Sequence, residues 1–164
     1  PMTRAEFEPI ASFLEEKRGR LKPFFIVLPQ YASPQTASSG TISTSGTIAS
    51  GDSNFLAQAT EVSGLNLERG DMITFNDSSN SNHLKAYMVT RVEDSSDYLT
   101  GQAQPSSSQV RIHFAPGFSK AVAVADVFRF NNPLIKVVLA QDIQEYSLNT
   151  NGLYQYSLQL EEVQ

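Results

Sequence analysis

Few residues in this chain have types that could do chemistry, and spacing decides what each can do. Gly117-Phe118-Ser119-Lys120-Ala121 approximates a nucleophile elbow with alanine in its last place. Such a turn works when a strand runs into a helix and lifts the serine hydroxyl toward a histidine later in the chain. Both histidines, His83 and His113, precede Ser119. Triads exist in other orders, so a small-hydrolase reading reduces to one requirement: His83 or His113 within hydrogen-bond reach of a serine. The plainer expectation for this segment is a turn.

His83 and His113 are 30 positions apart. With neither His-x-His nor His-Glu-x-x-His spacing, they encode no local metal site and are expected on the surface or along strands. The acidic neighbours Glu15-Glu16, Glu93-Asp94 and Glu161-Glu162 point about 100° apart on a helix or to opposite faces on a strand, so none is a ready acid/base pair; solvated charges are expected. Arg69-Gly70-Asp71 spells a tripeptide that some adhesion proteins display, yet it leads into an apolar run, where Gly-Asp is ordinary turn chemistry. Asn76-Asp77-Ser78 is formally a glycosylation acceptor. No Gly-x-Gly-x-x-Gly or phosphate-loop pattern occurs. No residue is therefore assigned a catalytic, cofactor-binding or metal-binding role, no cofactor is expected, and the chain reads as non-enzymatic.

The elements that would position these residues follow from composition and period. At 164 residues the chain can bury a core without staples. The absence of cysteine removes disulfides, thiolate metal sites and cysteine nucleophiles together. Lys and Arg number 12 against 17 Asp and Glu, a formal charge of −5 that opposes a nucleic-acid footprint. No apolar run approaches the roughly 18 residues of a membrane span, and Pro1-Met2-Thr3-Arg4-Ala5-Glu6 lacks the plan of a signal peptide. A chain that stays in water is expected.

Thr3 and Glu6 are spaced as a capping box, with Met2 and Phe7 as its hydrophobic staple. Phe7, Ile10, Ala11 and Leu14 then recur on one helical face, widened by Phe13, and Arg18-Gly19 closes the helix, predicted over 3–18. Pro9 predicts a kink, or a helix restarted there. Phe24-Phe25-Ile26-Val27-Leu28, bounded by Pro23 and Pro29, predicts a buried strand. From Ser33 to Ser53 the composition turns to Ser, Thr and Gly; the near-repeat of Ser39-Gly40-Thr41-Ile42-Ser43-Thr44 as Ser45-Gly46-Thr47-Ile48-Ala49-Ser50 is too short for a solenoid, so a mobile loop is expected.

Short strands are predicted at Met72–Phe75, Leu84–Val89 and Val110–Phe114, where Val110, Ile112 and Phe114 should share a core face. Two more are predicted at Leu134–Leu139 and Leu153–Val163, with Asn151-Gly152 as turn signal and Tyr154, Tyr156, Leu158 and Leu160 on one face. The sum is a mainly β (α+β) chain: a β-sandwich or split barrel from residues 1–31 and 133–164, a Ser/Thr/Gly-rich loop over 32–54, and an inserted small β-barrel or sandwich over 55–132.

Phe13-Leu14-Glu15-Glu16-Lys17-Arg18-Gly19-Arg20, followed by Phe24-Phe25 and Pro29, resembles the helix-then-strand segment of the lambda-type minor tail protein M family. The closing segment Tyr154 to Val163 is similar to that family's final strand. Gly70-Asp71-Met72-Ile73-Thr74-Phe75, running to Tyr87-Met88-Val89-Thr90, and Asp142-Ile143-Gln144-Glu145-Tyr146 look like segments shared by tail proteins of other phages. The resemblance implies a structural virion protein: a ring, by analogy hexameric, formed by copies of the chain at the distal end of a bacteriophage tail tube and contacting neighbouring tube or baseplate proteins. Compact family members lack the middle region and carry a strand ahead of the helix, so a further β-strand is expected before Pro1 in the full gene product. A competing reading, a carbohydrate- or receptor-binding β-module, would need coplanar exposed aromatics, for which Tyr31, Tyr87 and Tyr98 are the candidates.

Overall fold

The computed structural model describes residues 1–36, 42–58, 66–76, 83–141 and 146–163. Asp142 to Glu145, Ser39 to Thr41 and the Asp77-Ser78 part of the glycosylation motif lie outside the described residues. The chain is mainly β with one helix and divides into two compact units, Pro1–Ile26 with Lys136–Val163, and Val27–Ile135.

In the unit made from the two chain ends, helix α1 (Arg4–Lys17) starts at the capping box. The Thr3 N–H donates to the Glu6 carboxylate at 2.8 Å and the Thr3 hydroxyl donates to it at 2.9 Å. These bonds occupy donors that a helix start otherwise leaves unused. Pro9 sits inside α1, which runs through it without the restart predicted. The missing donor leaves the Ala5 carbonyl without its intrahelical bond, a loss confined to the second turn. Gly19 follows the helix as the left-handed C′ glycine expected (φ 62°), and the C-cap residue Arg18 is left-handed as well (φ 53°).

Phe7 and Leu14 are buried, whereas Ile10 and Phe13 on the flanks of the stripe stay exposed. Phe7 stacks on Tyr154 at 4.5 Å and tilts against Tyr146 at 5.0 Å.

Strand β1 (Phe24–Ile26) is shorter than the five-residue strand predicted, and it buries Phe24 while Phe25 remains 50% exposed. It joins β8 (Ile135–Leu139) and β11 (Leu160–Glu162) in a three-stranded sheet ordered β1-β8-β11. The predicted closing strand Leu153–Val163 is in fact two: β10 (Tyr154–Tyr156) pairs with β9 (Tyr146–Leu148), and β11 pairs with β8. One long amphipathic run thus serves two sheets, which the unbroken period of two concealed.

The second unit is a small antiparallel barrel. Its strands are β2 (Ile42–Ser43), β3 (Asn54–Gln58), β4 (Met72–Asn76), β5 (Ala86–Glu93), β6 (Gln109–Ala115) and β7 (Val127–Arg129), ordered β2-β7-β4-β5-β6-β3. Closure comes from the segment expected to be a loop. Thr44 bridges Ala57, and the Ser45 N–H donates to the Leu56 carbonyl at 2.9 Å, joining the two ends of the sheet. Ile42 and Ile48, at equivalent places in the two hexamers, are buried in the barrel core. Their burial is what orders a Ser/Gly-rich segment whose backbone entropy would otherwise keep it mobile.

Alternation sets the interior. Phe55, Ile73, Phe75, Tyr87, Val89, Ile112, Phe114 and Phe128 point inward, and Phe55 stacks on Phe128 at 4.2 Å. Such ring pairs contribute roughly 0.5–1.5 kcal/mol beyond area burial. Phe118 caps the group, 4.5 Å from Phe114 and 4.7 Å from Tyr87. Strand β5 extends beyond the predicted Leu84–Val89, and its register shifts between Val89 and Arg91. The inserted residue swaps the parity: Val92 now packs on the core, while Arg91 and Glu93 face outward with Arg111 and His113 of β6.

Candidate functional site

Two arrangements hold the groups that sequence reasoning singled out. The first is the turn after β6. Gly117 is required there, because a Cβ would meet the Gly51 carbonyl oxygen at 2.8 Å. This close approach lets the Phe118 N–H donate to the Asp52 carbonyl at 2.8 Å and seats Phe118 in the core. The exposed Ser119 follows. Its N–H donates to the Tyr87 phenol oxygen at 3.2 Å, its hydroxyl lies 3.3 Å from the same oxygen, and that phenol is 2.7 Å from His83 Nε2.

The phenol therefore stands between imidazole and serine, and it accepts the Ser119 N–H as well. The turn joins strand β6 to strand β7 with no helix between them, so the strand-to-helix geometry of an elbow is absent. His83 is buried, not a surface residue as expected, because it packs among Phe75, Tyr87 and Phe118.

The second arrangement is the outward charge cluster on β5 and β6. Glu93 is 0% exposed, contrary to the solvated role expected of it. Its Oε1 lies 3.1 Å from Arg91 Nε and 3.1 Å from His113 Nε2, at ion-pair distance without the alignment of a hydrogen bond, and it accepts the Leu99 N–H at 3.2 Å. Arg111 approaches the other oxygen at 3.8 Å and donates to the Gln102 side chain and the Ala103 carbonyl at 2.6 and 2.8 Å. Arg91 also donates to Asp97 at 2.8 Å. The 94–105 loop is thus tied down from beneath, and its first turn is fixed by Asp94. The Ser96 hydroxyl, then the Asp97 and Ser96 N–H groups, hold that carboxyl below its ordinary value. The cluster is an anchor: its carboxylate faces protein groups on all sides and presents nothing to a substrate.

Arg69-Gly70-Asp71 is likewise consumed by the fold. Gly70 takes φ +98°, and the buried Asp71 carboxylate accepts the Gln35 N–H at 3.0 Å and the Glu68 N–H at 2.8 Å. Arg69 donates to the Thr90 carbonyl at 2.8 Å. Of the three tyrosines considered for a binding platform, Tyr87 lies inside the barrel core. Among the described residues no group of His, Asp and Glu could hold a metal ion, and no helix is long and apolar enough to cross a membrane.

The surface with most to offer a partner belongs to the terminal unit. Among its described residues Phe7, Leu14, Phe24, Val137 and Leu139 are buried, while Ile10, Phe13, Leu21, Phe25, Tyr146 and Leu148 are exposed, Leu21 at 76%. Nothing in the sequence marked Leu21 or Leu148; a count of apolar side chains against the few places to bury them would have raised both. No protein-family model matches the chain, and no curated protein matches it either.

Proposed function

We propose that the chain is a structural component of a bacteriophage tail, assembled with copies of itself and neighbouring tail proteins into a ring at the distal end of the tube. The observation that carries this reading is the terminal unit's surface, which leaves as many large apolar side chains in water as it buries. Large apolar side chains left in water in that proportion favour association, and a rotational ring covers them by contacts that close on themselves. The segments that resemble the minor tail protein M family, 2–31 and 133–164, largely coincide with that unit. The charge cluster and the Ser119 turn both serve to hold loops, which suits a scaffold. The test is direct: peptides of this chain should be found in purified virions, with gold-labelled antibody at the distal tail tip. Virions without the chain, or label elsewhere, overturn the assignment.

A further inference from the structure

We propose that β9 is a self-complementary edge through which two copies of the chain pair antiparallel, about a twofold axis at Ser147. This contact goes beyond the tail assignment and stands whether or not that assignment holds.

Met2 and Tyr154 exchange both backbone bonds at 2.8 Å, so the polar groups of Tyr154 point away from β9. In an antiparallel ladder the direction alternates. Gln155 and Ser147 therefore face one another as a hydrogen-bonded pair, and the N–H and C=O of Tyr146 and Leu148 are left on the outer edge. The Asn149 N–H donating to the Leu153 carbonyl at 3.0 Å fits the same alternation. Along that edge the side chains of Tyr146 and Leu148 are 60% and 58% exposed. The Tyr146 ring already leans on Phe7 and Tyr154, at 5.0 and 5.7 Å, which supplies an apolar floor beside any added strand.

Charge selects the occupant. No charged residue occurs from Tyr146 to Gly152. By contrast, β1 is entered through Pro23, which has no N–H to give, and β11 centres on Glu161, which would meet its own copy, whereas pairing about Ser147 sets Glu145, the residue before β9, opposite the uncharged Asn149. The end strands β2 and β3 of the barrel are joined to one another. Among the described residues β9 is the edge without such a guard. A second β9 matches it in register: Ser147 falls opposite its own copy, and Tyr146 falls opposite Leu148 of the other chain. Tyr146 and Leu148 then exchange bonds on each side of the axis, and an aromatic–aliphatic pair forms across the strands. Three residues make a small contact, below the size of a stable standard interface, so the pairing is concentration-dependent.

The twofold axis makes Ser147 a non-hydrogen-bonded pair with itself, Cα atoms about 4.5 Å apart, inside the range a disulfide spans. The natural chain has no cysteine, so one introduced thiol is unambiguous. Under mild oxidation Ser147→Cys should form disulfide dimers at least about tenfold faster than Asn151→Cys on the exposed hairpin turn, because only position 147 meets its own copy at disulfide distance. Adding Leu148→Lys should remove that advantage. Sedimentation of the unaltered chain should show mass rising with concentration, and Leu148→Lys should lower it. Equal rates for the two cysteines, no effect of Leu148→Lys on a folded protein, or an unaltered chain that stays monomeric to roughly 1 mM overturns the proposal. The sedimentation result on the unaltered chain decides the matter even where a variant fails to fold.

Discussion

Arg91 and Glu93 stand two residues apart on β5 with Nε and Oε1 3.1 Å apart, and both owe their outward direction to the register shift that precedes them. In an unshifted strand they would follow Tyr87 and Val89 into the aromatic core. Thr90 is the extra residue, so deleting it should remove the shift together with the insertion: Val89 and Val92 stay inward, Arg91 and Glu93 stay outward opposite His113 and Arg111, and the barrel should remain folded. A retained near-ultraviolet circular dichroism spectrum would show it, and loss of that spectrum would contradict the placement of the bulge at Thr90. Glu93→Ala, which keeps the register but leaves Arg111 buried beside no carboxylate, should cost about 3 kcal/mol in urea unfolding and speed hydrogen exchange over residues 95–104.

Phe128 touches Phe55 and Phe75 at 4.2 and 4.4 Å, and Phe118 at 6.2 Å. Phe128→Ala should destabilise the barrel by roughly 3–5 kcal/mol. Val127→Ala, one residue away and exposed, should lie within about 0.5 kcal/mol of the natural chain. Equal effects of the two would contradict the inward direction of Phe128.

Gly70→Ala should be destabilising by about 1–2 kcal/mol, because φ +98° places the added Cβ in a region that side chains rarely adopt. Asp71→Ala should cost more, since it orphans the Gln35 and Glu68 N–H groups at about 1–3 kcal/mol for each one left buried. Soluble Arg-Gly-Asp receptors should not bind the folded protein by surface plasmon resonance.

The Thr3 N–H, and after it the Thr3 hydroxyl, hold the Glu6 carboxyl below its ordinary value. A carboxyl whose folded value is depressed adds stability above its unfolded value and loses it as pH falls through the folded one. Helicity at the chain start should thus be maintained at neutral pH and decline on acidification below the usual carboxylate range. A carbon-detected titration of Glu6 checks the direction, and Glu6→Gln should make the helix signal flat over that window.

Local signals were legible where one rule governed one element. The Thr3/Glu6 box placed the helix start to within a residue, and strict alternation placed Ile112 and Phe114 in the core. The mainly β class with a single helix followed from the same two kinds of signal. Composition misled at 42–53, because serine and glycine speak of chain entropy while Ile42 and Ile48, which decide the matter, are two residues among twelve. The Glu93 cluster could not be foreseen: a bulge inverts the parity of every residue after it, and nothing in Val89-Thr90-Arg91 announces one. His83 was misplaced for a related reason, since its burial depends on Phe118, thirty-five positions away.

The Asn132 N–H donates to the Ala32 carbonyl at 2.8 Å, so the chain enters and leaves the barrel through one clasp. A segment whose ends already touch can be exchanged for another of any length without lengthening the path on either side. The barrel is in that sense an interchangeable cartridge: a short turn spliced between Ala32 and Asn132, or an unrelated domain with adjacent termini, would demand no new geometry from the residues that flank it.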